Sequence, residues 1–326
     1  MNVIIRVTDA QARAILGSML DVALAHGTEG VSDADSRTID GAARIVLGLA
    51  AGVPADLAPC PPDALARAMS GDEQDGMQAV RMLAVMSLVD GRIDQDKIAL
   101  VQEYASALNV HESYLLVLAE ATAGEIAAAT ACMMRKNAET FPGLDLHGFD
   151  ADLVAPFLPY RDGRADPGLV ERYEALGELG PGTFGHAFWE HFKSNRFAFP
   201  GDPNGLAEGF TTRHDTSHVL SGYTTSPQGE LLVSTFIGAM HPDHPMSAEV
   251  LPALFSYHLG VAMNDIAQVE RDAFEPQKFW TAWDRGAATS VDVFDPAWDF
   301  WAAAQSPLEE LRRAHNVVPV DPALLA

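Results

Sequence analysis

The sequence is poor in cysteine and in basic side chains. Only Cys60 and Cys132 occur in its 326 residues, and one pair is too few for a disulfide framework or a cysteine-rich zinc knuckle. A reducing cytoplasm is therefore the expected setting. The 21 lysines and arginines are outnumbered by 45 acidic residues, which gives a formal net charge of −24. Because phosphate backbones bind Lys/Arg clusters, this balance argues against nucleic acid as a partner.

Long apolar runs are also missing. The longest apolar-leaning stretches, such as residues 83–89 and 250–263, are short or interrupted by polar side chains, whereas a membrane-spanning helix needs about 20 apolar residues. The N-terminal residues MNVIIR match neither a secretory signal nor an arginine-rich transit peptide. We therefore expect a cytoplasmic protein that does not cross a membrane. Peripheral contact with the inner membrane stays open.

Helical periodicity is what the sequence does contain. Apolar residues recur at spacings of three and four, and alternating β-branched runs are few. Ser32 and Asp35 are typical of a helix start, with a capping hydroxyl and an acid in the first turn. The sequence therefore predicts an all-α fold, with helices at residues 8–25, 32–49, 76–89, 94–108, 111–119, 123–137, 167–177, 184–194, 205–221, 229–240, 247–272, 275–286 and 306–315.

The composition changes between residues 141 and 164, where prolines and glycines interrupt the helical period. We predict two helical domains that meet there, residues 1–142 and 143–326.

Two similar turns lie in the first predicted domain. EGVS, which ends at Ser32, and DGRID, which ends at Asp94, each place an acidic-Gly pair and an apolar residue before a capping side chain. They resemble the D-G-x-I turns of TerB-like helical modules of tellurite-resistance proteins, over roughly residues 8–140. Left-handed glycines and helix caps explain both turns without a ligand. A Ca²⁺ site at Asp90, Asp94 and Asp96 is the alternative, although the loop lacks the order of an EF-hand.

The second predicted domain contains the strongest chemical signal, the segment RHDTSHVLSGYTTSPQGELL. On a helix, His214 and His218 share one face and can present both imidazoles to one ion, with Asp215 about 100° around the axis. Gly222 and the run TTSPQG break the helix, so that Glu230 can fold back in the first turn of the next helix. Two imidazoles with one or two carboxylates suit Zn²⁺, Mn²⁺ or Fe²⁺.

Three other interpretations of this segment stay open. The histidines can simply lie on a helix surface. In the H-E-x-x-H motif of metalloproteases, a glutamate acts as general base where this chain has Asp215, which is one methylene shorter. Phosphohydrolases with an adjacent His-Asp pair need further histidine and aspartate ligands, which the sequence does not place.

H-D-x-x-H followed by eleven residues and Glu resembles the signature of the coenzyme Q biosynthesis protein 4 family. His214, Asp215, His218 and Glu230 match that signature position for position. The resemblance implies an all-helical domain with a divalent metal, zinc in the usual assignment, beside an apolar tunnel for an isoprenoid tail. In that scheme the two histidines and the glutamate are ligands, and Asp215 is a ligand or the acceptor that orients an imidazole.

Two further segments resemble the same family. LGPGTFGH at residues 179–186 is similar to its P-x-G-[ST]-L-G helix entry, but is one residue shorter and has Phe184 for leucine. The segment from Trp301 to Arg312 is similar to the closing W…P-L-x-x-L-R. The resemblance covers roughly residues 150–318.

The implied function lies in ubiquinone biosynthesis. The activity is oxidative removal of the ring carboxyl group at C1 of a prenylated hydroxybenzoate, leaving a hydroxyl, with the ion as a Lewis acid. The expected partners are an isoprenoid or prenylated aromatic small molecule and other quinone-biosynthesis proteins, and a homo-oligomer stays open. A non-enzymatic isoprenoid-binding scaffold for biosynthetic enzymes and a helical metal-dependent hydrolase are the alternatives.

Weaker candidates for substrate contact are Arg213, Phe255, His258 and Leu259. Arg213 is one of few cations near the motif and is placed to steer a carboxylate. The other three lie along the predicted helix at residues 247–272, whose apolar face fits either a lipid tunnel or a plain core. That face comprises Leu251, Leu254, Phe255, Leu259, Ala262, Met263 and Ile266.

Overall fold

The computed structural model describes residues 5, 7–25, 30–70, 73–147, 149, 152–263 and 269–325. Within these ranges the regular structure is helical, and extended pairing is limited to two isolated bridges, Thr183 with Pro307 and Leu259 with Arg271. The predicted all-α fold is therefore confirmed. No helix in these ranges combines the length and the apolar character needed to cross a bilayer.

The helices fall on either side of the predicted domain boundary. Those before it are α1 (Asp9–Leu24), α2 (Asp33–Gly41, continued by a π-helix at Ala42–Val46), α3 (Pro62–Ala68), α4 (Glu73–Met86), α5 (Gln95–Ala107), α6 (Ser113–Thr122) and α7 (Ile126–Thr140). Those after it are α8 (Pro167–Glu174), α9 (Phe184–Asn195), α10 (Glu208–Ser221), α11 (Pro227–Met240), a π-helix (Pro245–Val250) that leads into α12 (Leu251–Tyr257), α13 (Pro276–Ala288), α14 (Phe300–Ala303) and α15 (Leu308–Ala314).

Side-chain caps begin the first helices. Thr8 caps α1 and Ser32 caps α2, each in a reciprocal capping box with Gln11 or Asp35 at the third helical position. Each box satisfies N–H groups that have no partner inside the helix. The predicted helix start at Ser32 is confirmed.

The predicted helix at residues 247–272 is wrong beyond Tyr257, where α12 ends. Gly260 takes a left-handed conformation with φ 71°, and the chain doubles back. The carbonyl of Ser256 then accepts from the N–H of Glu270 at 3.0 Å instead of from the residue four positions further on. This return contact replaces the helical hydrogen bond that the apolar spacing predicts.

Buried apolar side chains form one continuous cluster that draws on both predicted domains. The indole N–H of Trp280 in α13 donates to the carbonyl of Thr38 in α2 at 3.0 Å. Helix α7 packs against the π-helix Pro245–Val250 and against α12. The N-terminal helices therefore lie directly on the C-terminal ones, and the boundary at residue 142 and the TerB-like resemblance stay predictions.

A buried lysine joins the two acidic turns of the N-terminal half. Lys97 Nζ lies 3.3 Å from Asp35 Oδ1 and 3.0 Å from Asp90 Oδ2, and the lysine and Asp35 side chains are only 1% and 2% exposed. Asp94 caps α5 by accepting from two N–H groups of its first turn. The cap interpretation of the second turn is therefore confirmed, and of the three acids in the Ca²⁺ alternative Asp90 is paired with Lys97. Glu29 of the first turn lies outside the described residues.

Replacement of Lys97 by methionine is expected to lower the free energy of unfolding by about 3–5 kcal/mol, because Asp35 and Asp90 lose their compensating charge. Lys193→Met is the matched control, since Lys193 pairs with Glu174 at the surface and such pairs contribute about 1 kcal/mol or less. Urea denaturation measures both variants. Equal losses would contradict the role of the buried lysine.

Candidate metal centre

The turn between α10 and α11 brings the separated parts of the motif together. Gly222 ends α10 in a left-handed conformation with φ 83°, and Ser226 caps α11. A Cβ at Gly229 would lie 2.0 Å from the carbonyl oxygen of Thr224, so a glycine is required for so tight a turn. Glu230 consequently lies in the first turn of α11, opposite the histidines of α10.

The side chains of His214, His218 and Glu230 converge. The two Nε2 atoms are 3.2 Å apart, and the glutamate oxygens lie 3.3 Å from His214 Nε2 and 3.4 Å from His218 Nε2. Atoms bound at about 2.0–2.1 Å to a tetrahedral zinc ion are about 3.4 Å apart. In the part of the chain that the structure describes, these three side chains form the group that can hold an ion. A fourth position is left for water or substrate.

The imidazole of His218 is oriented by the backbone. Its Nδ1 lies 3.0 Å from the carbonyl oxygen of Tyr223. Because a carbonyl only accepts, Nδ1 is the donor and Nε2 of the neutral ring keeps its lone pair for an ion. The ring of His214 stacks on Phe210 with centroids 5.0 Å apart, so both imidazoles are fixed by their surroundings.

The metal-free triad is itself an ion pair. Burial lowers the pKa of His218, but the carboxylates of Glu230 and Asp215 outweigh this effect and raise the pKa to about 9. Burial raises the pKa of Glu230, but His218 and His214 outweigh it and hold the pKa well below its ordinary range. At neutral pH a cation must therefore displace a proton from His218.

Asp215 lies beside the triad and is not one of its three converging donors. Its Oδ1 is 3.0 Å from Nε2 of His191 in α9, and the ring of His191 stacks on that of His218 with centroids 5.4 Å apart. Asp215 thus contacts an imidazole that sequence reasoning did not single out. No sequence spacing signals His191, because the packing of α9 on α10 brings it here.

A cavity of about 850 Å³ opens beside the triad. His214, Asp215 and Glu230 line it, and most of its wall is apolar. The apolar lining comes from both halves of the chain and includes Met133, Met134, Phe157, Leu206, Phe210 and Ala253. The triad therefore faces a space of the size that small-molecule sites occupy.

The four weaker candidates for substrate contact, Arg213, Phe255, His258 and Leu259, are not among the described residues that line this cavity. Arg213 is buried, with its guanidinium 5.5 Å from the ring centroid of Trp298. Successive residues of a helix are rotated by about 100° around its axis, so Arg213 points to a different side of α10 from His214 and His218.

The other three side chains belong to the core. Phe255 and Leu259 are buried, and Nε2 of His258 donates to the carbonyl of Val89 at 3.2 Å. His258 thus contacts the N-terminal half, and Leu259 pairs with Arg271, whereas Met263 of the same predicted face does line the cavity. Ile266, the last member of the predicted apolar face, lies outside the described residues.

One carboxyl group lines the cavity without a positive partner. Glu249, which is 3% exposed, lies in the π-helix Pro245–Val250, and its Oε1 accepts from Nδ2 of Asn137 at 3.3 Å. Burial raises its pKa to about 8, although the hydrogen bond from Asn137 lowers it. The group is therefore mostly neutral at pH 7. A single acid within a helical period gives no sequence signal of such burial.

A scan against protein-family models gives no match, and a search of curated proteins gives no match either. The two family resemblances stay predictions. The case for a function therefore rests on the triad and on the cavity that it faces.

Zinc binding is expected to depend on the triad. Wild-type protein dialysed against Zn²⁺ should retain one ion per chain, whereas His218→Ala and Glu230→Gln should each lose at least about 100-fold in affinity, because each removes a direct ligand. Asp215→Asn should lose only about tenfold, because Asp215 contacts His191 and lies beside the three converging donors. Elemental analysis and competition with a chelating dye measure both quantities.

His111→Ala is the control, since His111 is exposed and outside the cavity. Full zinc retention in His218→Ala would contradict the site. A loss in Asp215→Asn as large as that in Glu230→Gln would make Asp215 a ligand.

Stability is expected to fall with rising pH because of Glu249. The unfolded chain releases this proton near its ordinary pKa of 4.5, whereas the folded chain keeps it up to about 8. Between these two pKa values the free energy of unfolding falls by about 1.4 kcal/mol for each unit of rising pH. Glu249→Gln should therefore match the wild type at pH 4.5 and be more stable at pH 8.5, in urea denaturation at both pH values. Glu103→Gln, at an exposed position, is the control, and parallel curves for all three proteins would contradict the prediction.

Proposed function

We propose that this protein is a metal-dependent enzyme of ubiquinone or related prenylated-ring biosynthesis. His214, His218 and Glu230 hold a divalent ion, with zinc as the first choice, and the adjoining cavity holds the substrate. The observation that carries the proposal is that three donors are spaced for one ion, and that two of them, His214 and Glu230, line a largely apolar cavity. The motif resemblance supports the choice of a prenylated aromatic substrate.

The donor set suits several ions. Two imidazoles and a carboxylate fit Zn²⁺, Fe²⁺ and Mn²⁺, and a bound ion supplies a Lewis acid for a ring carboxylate or hydroxyl oxygen. Zinc is redox-inert. Replacement of the ring carboxyl group by a hydroxyl is a two-electron oxidation that releases CO₂ and adds one oxygen, so it requires O₂ or another external oxidant whichever ion is bound, and O₂ taking up these two electrons leaves as H₂O₂.

The chain's own residues would bind and orient the substrate. The apolar wall takes up the isoprenoid tail and excludes water from the reacting end. Arg161 and Arg196 line the cavity and are exposed. In a protein of net charge −24, these two guanidinium groups attract a carboxylate that the rest of the surface repels.

The scaffold alternative rests on the same cavity. An apolar space next to a metal-bound head group can also hold an isoprenoid precursor for another enzyme without changing it. Binding is common to both functions, and turnover separates them.

Turnover of a prenylated 4-hydroxybenzoate tests the proposal. Protein loaded separately with Zn²⁺, Fe²⁺ or Mn²⁺ is incubated with the compound and O₂, and mass spectrometry follows loss of CO₂ and gain of one oxygen at the ring. Activity is expected in wild type and in His111→Ala, and a loss of at least about 100-fold in Glu230→Ala. Lipid extraction of the purified protein reports what the cavity carries.

The outcomes differ clearly between the candidate functions. Stoichiometric binding without turnover with any of the three ions would favour the scaffold. If the metal-loaded protein shows no binding and no turnover, a prenylated ring is excluded as the ligand.

A further inference from the structure

Glu249 and Asn137 form a polar pair in the wall of an otherwise largely apolar cavity. Both side chains line it, and they come from different halves of the chain. Asn137 Nδ2 donates to the carbonyl oxygen of Ala248 at 2.8 Å and to Glu249 Oε1 at 3.3 Å. Among the described residues Asn137 is the hydrogen-bond partner of this carboxyl group, and Oε2 has none. Oε2 is not among the fully buried atoms without a partner in the described part of the chain, so it is reachable from the cavity, and a ligand that covered it without a hydrogen-bonding group would leave it unsatisfied.

Helix α11 fixes how far this pair lies from the metal triad. Glu230 and Ser234, one turn apart on α11, both line the cavity. Gly238 lies one turn further, and a Cβ added there would be 3.4 Å from the Cβ of Glu249. Glu230 and Gly238 are eight residues apart, which is about 12 Å along a helix. The backbone of Glu249 thus lies about two turns of α11 beyond that of Glu230, with Ser234 between them.

The chemistry of the pair defines what it can bind. Because the amide of Asn137 donates to Oε1, that oxygen is the carbonyl of the neutral acid and Oε2 carries the hydrogen. Burial favours this neutral form, as the raised pKa of Glu249 indicates. At this position the wall therefore offers the hydrogen of Oε2 as a hydrogen-bond donor, apart from the hydroxyl groups elsewhere in the lining such as Ser234 and Ser256.

We propose that Glu249, held by Asn137, is a second recognition point that donates a hydrogen bond to a neutral oxygen of the bound molecule, at the level of Gly238, about two turns of α11 beyond Glu230. The ligand class is an elongated apolar compound whose chain carries a carbonyl, ether or hydroxyl oxygen. A tail of pure hydrocarbon would bury the carboxyl group without a partner. The inference rests on the proposed function only for the metal-bound head, and it replaces the plain isoprenoid tail of that proposal by a tail that carries an oxygen.

Zinc-binding probes with a shared head test the inference on the zinc-loaded full chain. One is a straight-chain alkyl hydroxamic acid, and the others replace one CH₂ of that chain by a ketone at successive positions. Titration calorimetry is expected to find one ketone position that binds about tenfold more tightly than the plain chain. Ketones that face the apolar part of the lining should bind more weakly than the plain chain, because their carbonyls are buried without a donor.

Two variants assign the preference to Glu249. Glu249→Met should remove it while plain-chain binding stays unchanged or becomes tighter, and Glu249→Gln should keep it because the amide still donates. Thermal unfolding of both variants confirms that they fold. No preferred ketone position in the wild type, or a preference that survives in Glu249→Met, would overturn the inference.

A further outcome would overturn it as well. If a chain with a primary amine binds more tightly than every ketone, the pair is a cation site. Because all probes share one head, failure of the metal site weakens every probe alike, whereas failure of this inference removes only the difference between them.

Discussion

The return of α11 onto α10 is the constraint on which the rest of the site depends. The two histidines need only a helix, but the carboxylate lies twelve positions beyond the second of them. It reaches them because Gly222 reverses the chain and Gly229 lets the backbone of Thr224 approach to a distance that a side chain would forbid. The backbone conformation of this turn therefore fixes the relative positions of the three donor side chains.

Three buried acids show three ways in which this fold accommodates a carboxyl group. Asp35 is neutralised by Lys97 within the N-terminal helices. Glu230 is ionised and faces two imidazoles. Glu249 has only an amide neighbour and stays protonated. For Glu230 and Glu249 burial favours the neutral form, and the neighbours decide the outcome, because two imidazoles hold the pKa of Glu230 low whereas a single amide leaves that of Glu249 raised.

Local spacing explains how much of this could be predicted from sequence. The helices and the shared face of His214 and His218 follow from a period of 3.6 residues, and the break before Glu230 follows from glycine and proline. Contacts between remote segments carry no such signal. His191 and Asp215 are 24 positions apart, and Asn137 and Glu249 are 112 apart.

The helix predicted at residues 247–272 failed for a related reason. Its spacing is compatible with a helix, but the carbonyls from Ser256 onward accept hydrogen bonds from N–H groups near Glu270. The spacing of apolar residues carries no information about such contacts between separate segments. The weaker substrate candidates on that helix depended on its continuation.

Through helix α7 the N-terminal half forms part of the cavity wall, so it is more than a module attached to the site. Met133, Met134 and Asn137 all project from it into the cavity wall. A chain that began after residue 142 would leave the chamber open along one side as a trough, even with the triad intact. The selectivity of the pocket is thus a joint property of two segments, and a change in either one alters which molecules are admitted.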